Sequence, residues 1–181
     1  MVVKKPNCAE LLRIKEDLEK ELSALRMELS NLQFELDELN HKIDKLKSLK
    51  NLSKAGRDEI GMKLSDLKIR RMEIITKIYS LSRKIETMSS IDAEEFAYIA
   101  QLKQELKDLE KENKKTEQGI SRLEDKLDAA DRAIAFYERS LKKAVEDLKR
   151  KEEEIEKKEL AIEGTKELIA RVAKLIEETC K

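Results

Sequence analysis

The chain has 181 residues, of which 43% are charged and 3% aromatic, and its 39 basic and 39 acidic residues give a formal net charge of zero. This composition is typical of long helices and coiled coils. Because aromatic residues are so few and apolar residues lie in stripes, a wide core with a deep substrate pocket is excluded. We therefore expect an all-α protein.

Residues 1–7 are predicted to form an N-terminal tail, with Asn7 as the N-cap of the first helix. After it, apolar residues alternate at spacings of four and three, which is the coiled-coil pattern. The d positions are Leu11, Leu18, Leu25, Leu32, Leu39 and Leu46, and the a positions between them are Leu22, Leu29, Leu36 and Ile43. The pattern predicts a first coiled-coil arm over residues 8–88.

The stripe is interrupted at residues 50–57, where Lys50, Ser53 and Arg57 occupy successive core positions and Gly56 lies among them. We predict a local break there. The same heptad frame resumes at Ile60 and continues to Met88. In this part the apolar stripe is widened by Ile69, Met72, Ile75 and Tyr79, which indicates contact with more than one helix.

Residues 89–92 are predicted to be an elbow, in which Asp92 and Glu95 have the spacing of a capping box. The second arm is predicted over 93–181. Of its twelve a positions, eleven hold Ile or Leu, and the twelfth is Asn113. A polar residue at one a position fixes the register of a coiled coil, although it is also tolerated without that role.

Two arms of similar length predict an antiparallel coiled-coil hairpin. A parallel dimer would bring like charges together along the seam, whereas folding near residue 90 pairs Leu81 with Ile99 and sets a basic stretch (40–90) against an acidic one (92–138). The flanking attractions would be Lys77–Glu105, Arg70–Glu112, Lys68–Glu110, Lys54–Glu124, Lys47–Asp131 and Arg26–Glu152, against the repulsions Glu35–Asp147, Glu28–Glu154 and Glu19–Glu159.

A turn at 51–57 gives an equally apolar core, with Leu46 against Leu64 and Leu36 against Ile74. That alternative is a three-helix arrangement in which the third helix projects.

No chemical motif accompanies this architecture. The sequence has no glycine-rich phosphate loop, no CxxC and no HExxH, so we expect no catalytic, cofactor-binding or metal-binding residues and no enzymatic activity. His41 lies at an outward f position and is predicted to be a solvated surface residue. Cys8 and Cys180 are predicted to lie near the open end of the hairpin as two inert thiols, with a redox or metal role as the alternative.

The sequence has no apolar run of about 18 residues, so it predicts no membrane span. Its first ten residues lack the apolar core of a signal peptide, which favours a cytoplasmic or cytoskeletal location. The predicted function is a non-enzymatic structural or scaffold protein, acting as a spacer or filament-associated element. The alternative is an adaptor or chaperone-like module that grips a client.

The predicted partners are other proteins: a cytoskeletal polymer, a larger assembly, or further copies of the chain. The basic stretch 42–84 suits an acidic surface. Because aromatic residues do not interleave with it, nucleic acid is disfavoured as a partner.

Overall fold

The computed structural model describes residues 7–88 and 93–180, which form two helices, α1 (Cys8–Thr87) and α2 (Ala93–Thr179). They run in opposite directions, because Lys50 pairs with Glu138 while Arg57, further along α1, pairs with Asp131, earlier in α2. This confirms the all-α antiparallel hairpin. The predicted elbow at 89–92, including Asp92 as a cap, lies outside the described residues.

The start of α1 is a capping box. The Asn7 side chain accepts a hydrogen bond from the Glu10 N–H (2.9 Å), and the Glu10 carboxylate accepts one from the Asn7 N–H (3.0 Å). Both bonds satisfy amide groups that the first helical turn leaves without a partner. Asn7 is therefore the N-cap that the sequence predicts.

The predicted break at 50–57 is wrong, and so is the three-helix alternative, because α1 continues through these residues as helix. Gly56 and Gly61 both lie inside α1, and neither has a positive φ. A glycine inside a helix costs about 1 kcal/mol against alanine, which is too little to end a helix that packs along its length. The charged residues at the core positions, Lys50 and Arg57, reach acidic partners on α2 instead of ending α1.

The chain divides into two compact units, and each contains part of both helices. Among the described residues, the terminal unit comprises 7–47 and 139–180, and the inner unit comprises 48–88 and 93–138. The most buried side chains of the terminal unit are Leu11, Ile43, Ala144, Ile162 and Thr165; those of the inner unit are Leu64, Ile74, Leu102, Thr116 and Ile120. All ten occupy predicted a or d positions, which confirms the heptad frame.

The two buried threonines satisfy their hydroxyls within their own helix. Thr116 Oγ1 donates to the Glu112 carbonyl (2.9 Å), and Thr165 Oγ1 donates to the Ala161 carbonyl (3.0 Å). A threonine hydroxyl bonded to the carbonyl four residues earlier needs no partner across the seam. This is why a core of leucine and isoleucine accepts threonine at these d positions.

The alignment of α1 with α2 differs from the predicted one by about one heptad. Predicted partners such as Leu81 and Ile99 have residue numbers that sum to 180. In the structure, cations at core positions form ion pairs with the other helix, and the residue numbers of each pair sum to 186 or 188. These pairs are Lys50–Glu138, Arg57–Asp131, Arg71–Glu117, Glu35–Lys151 and Glu28–Lys158. A slide of seven residues keeps every a and d position in the seam, so the apolar stripe alone does not choose between the two alignments.

Candidate functional site

A disulfide bond joins the two helices at the ends remote from the predicted elbow. Cys8 opens α1 and Cys180 directly follows α2; their sulfurs are bonded at 2.02 Å and their Cα atoms lie 5.4 Å apart. The expectation of two inert thiols is therefore wrong. The sequence placed both residues at the open end of the hairpin, but only the alignment found in the structure brings Cys8 across from Cys180.

In the terminal unit, two lysines at d positions of α2 extend to glutamates of α1. Lys151 Nζ lies 2.7 Å from Glu35 and 3.1 Å from Glu154, and Lys158 pairs with Glu28. The hydrogen bond to Glu35, then the one to Glu154, raises the pKa of Lys151 above its ordinary value. The lysines thus neutralise the acidic edges that the sequence predicts to repel each other.

In the inner unit, the cations lie on α1 and the acids on α2. The cross-helix pairs are Lys50–Glu138 (2.9 Å), Arg57–Asp131 (2.5 Å), Lys68–Glu124 (2.9 Å), Arg70–Glu112 (2.7 Å) and Arg71–Glu117. The hydrogen bond from Lys50 lowers the pKa of Glu138. The predicted pair Arg70–Glu112 is confirmed, whereas Lys68 contacts Glu124 rather than Glu110.

The same shift in alignment changes the partner of another predicted pair. Asp131 binds Arg57 rather than Lys47, and Lys47 lies instead beside Asp44 on its own helix. Lys68 and Asp131 therefore take the partners that the observed alignment offers, whereas the Arg70–Glu112 pair forms as predicted from the other alignment.

Two polar residues, Arg71 and Asn113, occupy a positions of the inner unit. The Arg71 guanidinium donates to Glu117 through one terminal nitrogen, but the Arg71 Nε has no hydrogen-bond partner. The Asn113 Oδ1 is also buried without one. An unsatisfied buried polar atom costs stability, so both atoms are expected to weaken the inner core. A register-fixing role for Asn113 stays a prediction.

The outward side of α1 in the inner unit carries a row of large apolar side chains. Met62, Ile69, Met72 and Tyr79 are between 57% and 70% exposed. The sequence predicts that Ile69, Met72 and Tyr79 contact more than one helix. Within the described hairpin α2 leaves them uncovered, so the row is a candidate interaction surface.

Other chemistry is sparse within residues 7–88 and 93–180. No three histidine, cysteine, aspartate or glutamate side chains of these ranges are grouped so as to hold a metal ion. A groove lined by Glu35, Leu39, Lys42, Arg150 and Lys151 among others is open to solvent. His41 lines an open stretch of surface with Asp37 and Lys45.

Neither described helix contains a stretch long and apolar enough to cross a membrane. In the comparisons with known proteins, no family model matches the chain, and no curated protein or solved structure proved similar to it.

Proposed function

We propose that the chain is a non-enzymatic structural protein, a scaffold or spacer that acts through helix–helix packing. The observation that carries this proposal is the pairing of helices of 80 and 87 residues around one narrow line of buried side chains. Ligand pockets are concave and bury most of a ligand's surface, whereas the grooves described along this seam are open to solvent. A long helix pair instead offers extended faces to other proteins.

The disulfide favours a spacer over a module that grips a client between its arms. Gripping requires the free ends of α1 and α2 to separate, and the Cys8–Cys180 bond holds them together. A closed loop also loses conformational freedom in the unfolded state, which stabilises the paired helices. The adaptor alternative therefore applies to a face of the hairpin rather than to the space between its arms.

The disulfide also bears on location. Disulfides persist in oxidising compartments and are rare in the cytosol, so the bonded chain fits an oxidising compartment, and the predicted cytoplasmic location fits only a reduced form. Trapping free thiols in intact cells with a maleimide that adds mass decides between the two. We expect no mass added before reduction and two additions after it, and two additions before reduction would overturn the proposed oxidising compartment.

The scaffold proposal is tested by co-sedimentation with microtubules and with actin filaments, using oxidised and reduced protein in parallel. Saturable pelleting of the reduced form alone would support a cytoskeletal lattice element. Pelleting of neither form would overturn the filament-associated version. In that case the proposal of a spacer that binds another protein would still stand.

A further inference from the structure

The outward apolar row on α1 has the spacing of a second coiled-coil seam. Met62 and Ile69 lie at f positions and Met72 and Tyr79 at b positions, so the steps along the row are seven, three and seven residues. These positions lie on the side of α1 that faces away from the a and d core. Since four large apolar side chains at heptad spacing share one face, that face is suited to packing against another helix.

We propose that the occupant is the same row of a second copy of this chain, with the two α1 helices parallel and in register. The inference deepens the proposed scaffold function, on which it rests, by naming a partner for it. The argument for a second copy comes from the charges along the two edges of the row.

The edges of the row carry opposite charges. One edge, at c positions, holds Glu59, Asp66 and Glu73; the other, at e positions, holds Lys54 and Lys68. In a parallel in-register pair, a residue on one edge faces the residue five positions later on the opposite edge of its partner. Lys68 would then face Glu73 of the second copy, and Lys54 would face Glu59 of the second copy.

An antiparallel arrangement would bring the same edges together. The hairpin itself illustrates this geometry, because Arg70 and Glu112 are both g residues and Lys68 and Glu124 are both e residues. Two acidic c edges would repel each other, and so would two basic e edges. The charge pattern therefore selects the parallel arrangement of two copies over the antiparallel one.

Pairs within the hairpin leave room for these contacts. Lys68 already binds Glu124 at 2.9 Å, but its side chain is 53% exposed and its ammonium has three donors. Glu59 binds Lys63 on its own helix at 2.5 Å, and that hydrogen bond lowers the pKa of Glu59, so the carboxylate stays ionised and accepts a second donor.

The size of the row sets the expected affinity. Residues 62–79 span about 26 Å of helix, and four large side chains are far fewer than the roughly 20–30 residues on each side of a standard stable interface. We therefore expect a reversible dimer with a dissociation constant on the order of micromolar.

The first test is sedimentation equilibrium of the intact oxidised chain from about 1 to about 500 μM, which brackets a micromolar constant. We expect a monomer–dimer equilibrium that Met72→Glu weakens about tenfold or more. Met27→Glu is the matched control, because Met27 is a similarly exposed outward methionine of α1 in the terminal unit, and it should leave the constant unchanged.

The second test reads the direction of pairing. Glu73→Lys should weaken the dimer, because it would replace the attraction to Lys68 of the second copy with a repulsion between two lysines. Adding Lys68→Glu to the same chain should restore the dimer, because the two charges are then exchanged. Circular dichroism of each variant checks that the helices are intact.

A chain that stays monomeric at all these concentrations overturns the second-copy proposal but leaves the scaffold function standing with another occupant. A dimer that is insensitive to Met72→Glu overturns the assigned face. A dimer that Glu73→Lys strengthens overturns the parallel arrangement.

Discussion

The two units stabilise the same helix pair with opposite arrangements of charge. In the terminal unit the cations that bridge the helices, Lys151 and Lys158, lie on α2 and their acids on α1. In the inner unit the cations, such as Lys50 and Arg57, lie on α1 and their acids on α2. A slide of α2 by many heptads would therefore set acid against acid and base against base, so the reversal helps to specify which segments face each other.

The units also differ in what keeps their ends and cores in place. The terminal unit contains the Cys8–Cys180 bond, which needs no packing to hold the helices together. The inner unit contains Arg71 and Asn113, each with one buried atom that lacks a hydrogen-bond partner. The terminal unit is thus stabilised by a covalent bond between its helices. The inner unit is stabilised by apolar packing, which the two unsatisfied polar atoms weaken.

The largest effect is expected from opening the disulfide, by reduction or by Cys8→Ser with Cys180→Ser. Losing a cross-link that closes a loop of about 170 residues costs up to about 5 kcal/mol in the chain-entropy model. The global loss should accelerate hydrogen exchange of the slowest amides in both units, and the helix ends of the terminal unit should accelerate further because they become free to fray. Adding reductant to the double serine variant is the control and should change nothing, and helix ends that exchange no faster than before would contradict the assignment.

A smaller effect, of opposite sign, is expected from Asn113→Leu in the inner unit. Removing a buried, unsatisfied amide oxygen should raise the free energy of unfolding by about 1–3 kcal/mol. Chemical denaturation measures it. Thr116→Val is the matched control, because the Thr116 hydroxyl is already bonded to the Glu112 carbonyl and its loss should change stability by less. Destabilisation by Asn113→Leu would mean that this oxygen has a partner in solution.

The glycines offer a finer comparison inside the inner unit. A Cβ at Gly56 would meet no atom within 4 Å, whereas one at Gly119 would lie 2.9 Å from the Leu67 Cδ2. Gly56→Ala should therefore stabilise the chain by about 0.5–1 kcal/mol through lower backbone entropy and better helix propensity. Gly119→Ala should gain less, because the Leu67 side chain must move. Equal denaturation midpoints for the two variants would show that the Leu67 side chain moves aside without a loss of stability.

The smallest effects are expected from pH. The pKa of Glu138 is lowered from 4.5 by its bond with Lys50, so that pair's contribution is present above pH 4.5 and is lost as the pH falls through the folded value. The pKa of Lys151 is raised from 10.5 by Glu35, so its contribution is present below pH 10.5 and is lost as the pH rises through the folded value.

Lys50→Gln should therefore make the melting temperature depend less on pH in the acid range. Lys151→Gln should do the same in the alkaline range. Both effects should shrink in high salt, since the groups are exposed and the screening length is short. An unchanged pH profile in both variants would show that these pairs are absent in solution.

The sequence by itself determined the all-α class, the core positions and the antiparallel pairing. Heptad spacing assigned the buried positions, including Ile43, Ile74 and Ile162, because only one face of a helix recurs every 3.5 residues. Local chemistry identified Asn7 as the N-cap, and charge complementarity identified the Arg70–Glu112 pair. The absence of chemical motifs predicted no catalytic site, and that remains a prediction.

The tertiary structure alone decided the continuity of α1, its alignment with α2, the disulfide and the exposed row. In the sequence, residues 50–57 have the pattern of a helix break. In the structure they stay helical, and Lys50 and Arg57 form ion pairs with acidic residues of α2. Alignments one heptad apart bury equivalent stripes, so the choice depends on the sum of many weak ion pairs and on the Cys8–Cys180 bond. The sequence of one helix shows that its apolar stripe is wide. It does not show how many other helices pack against that stripe.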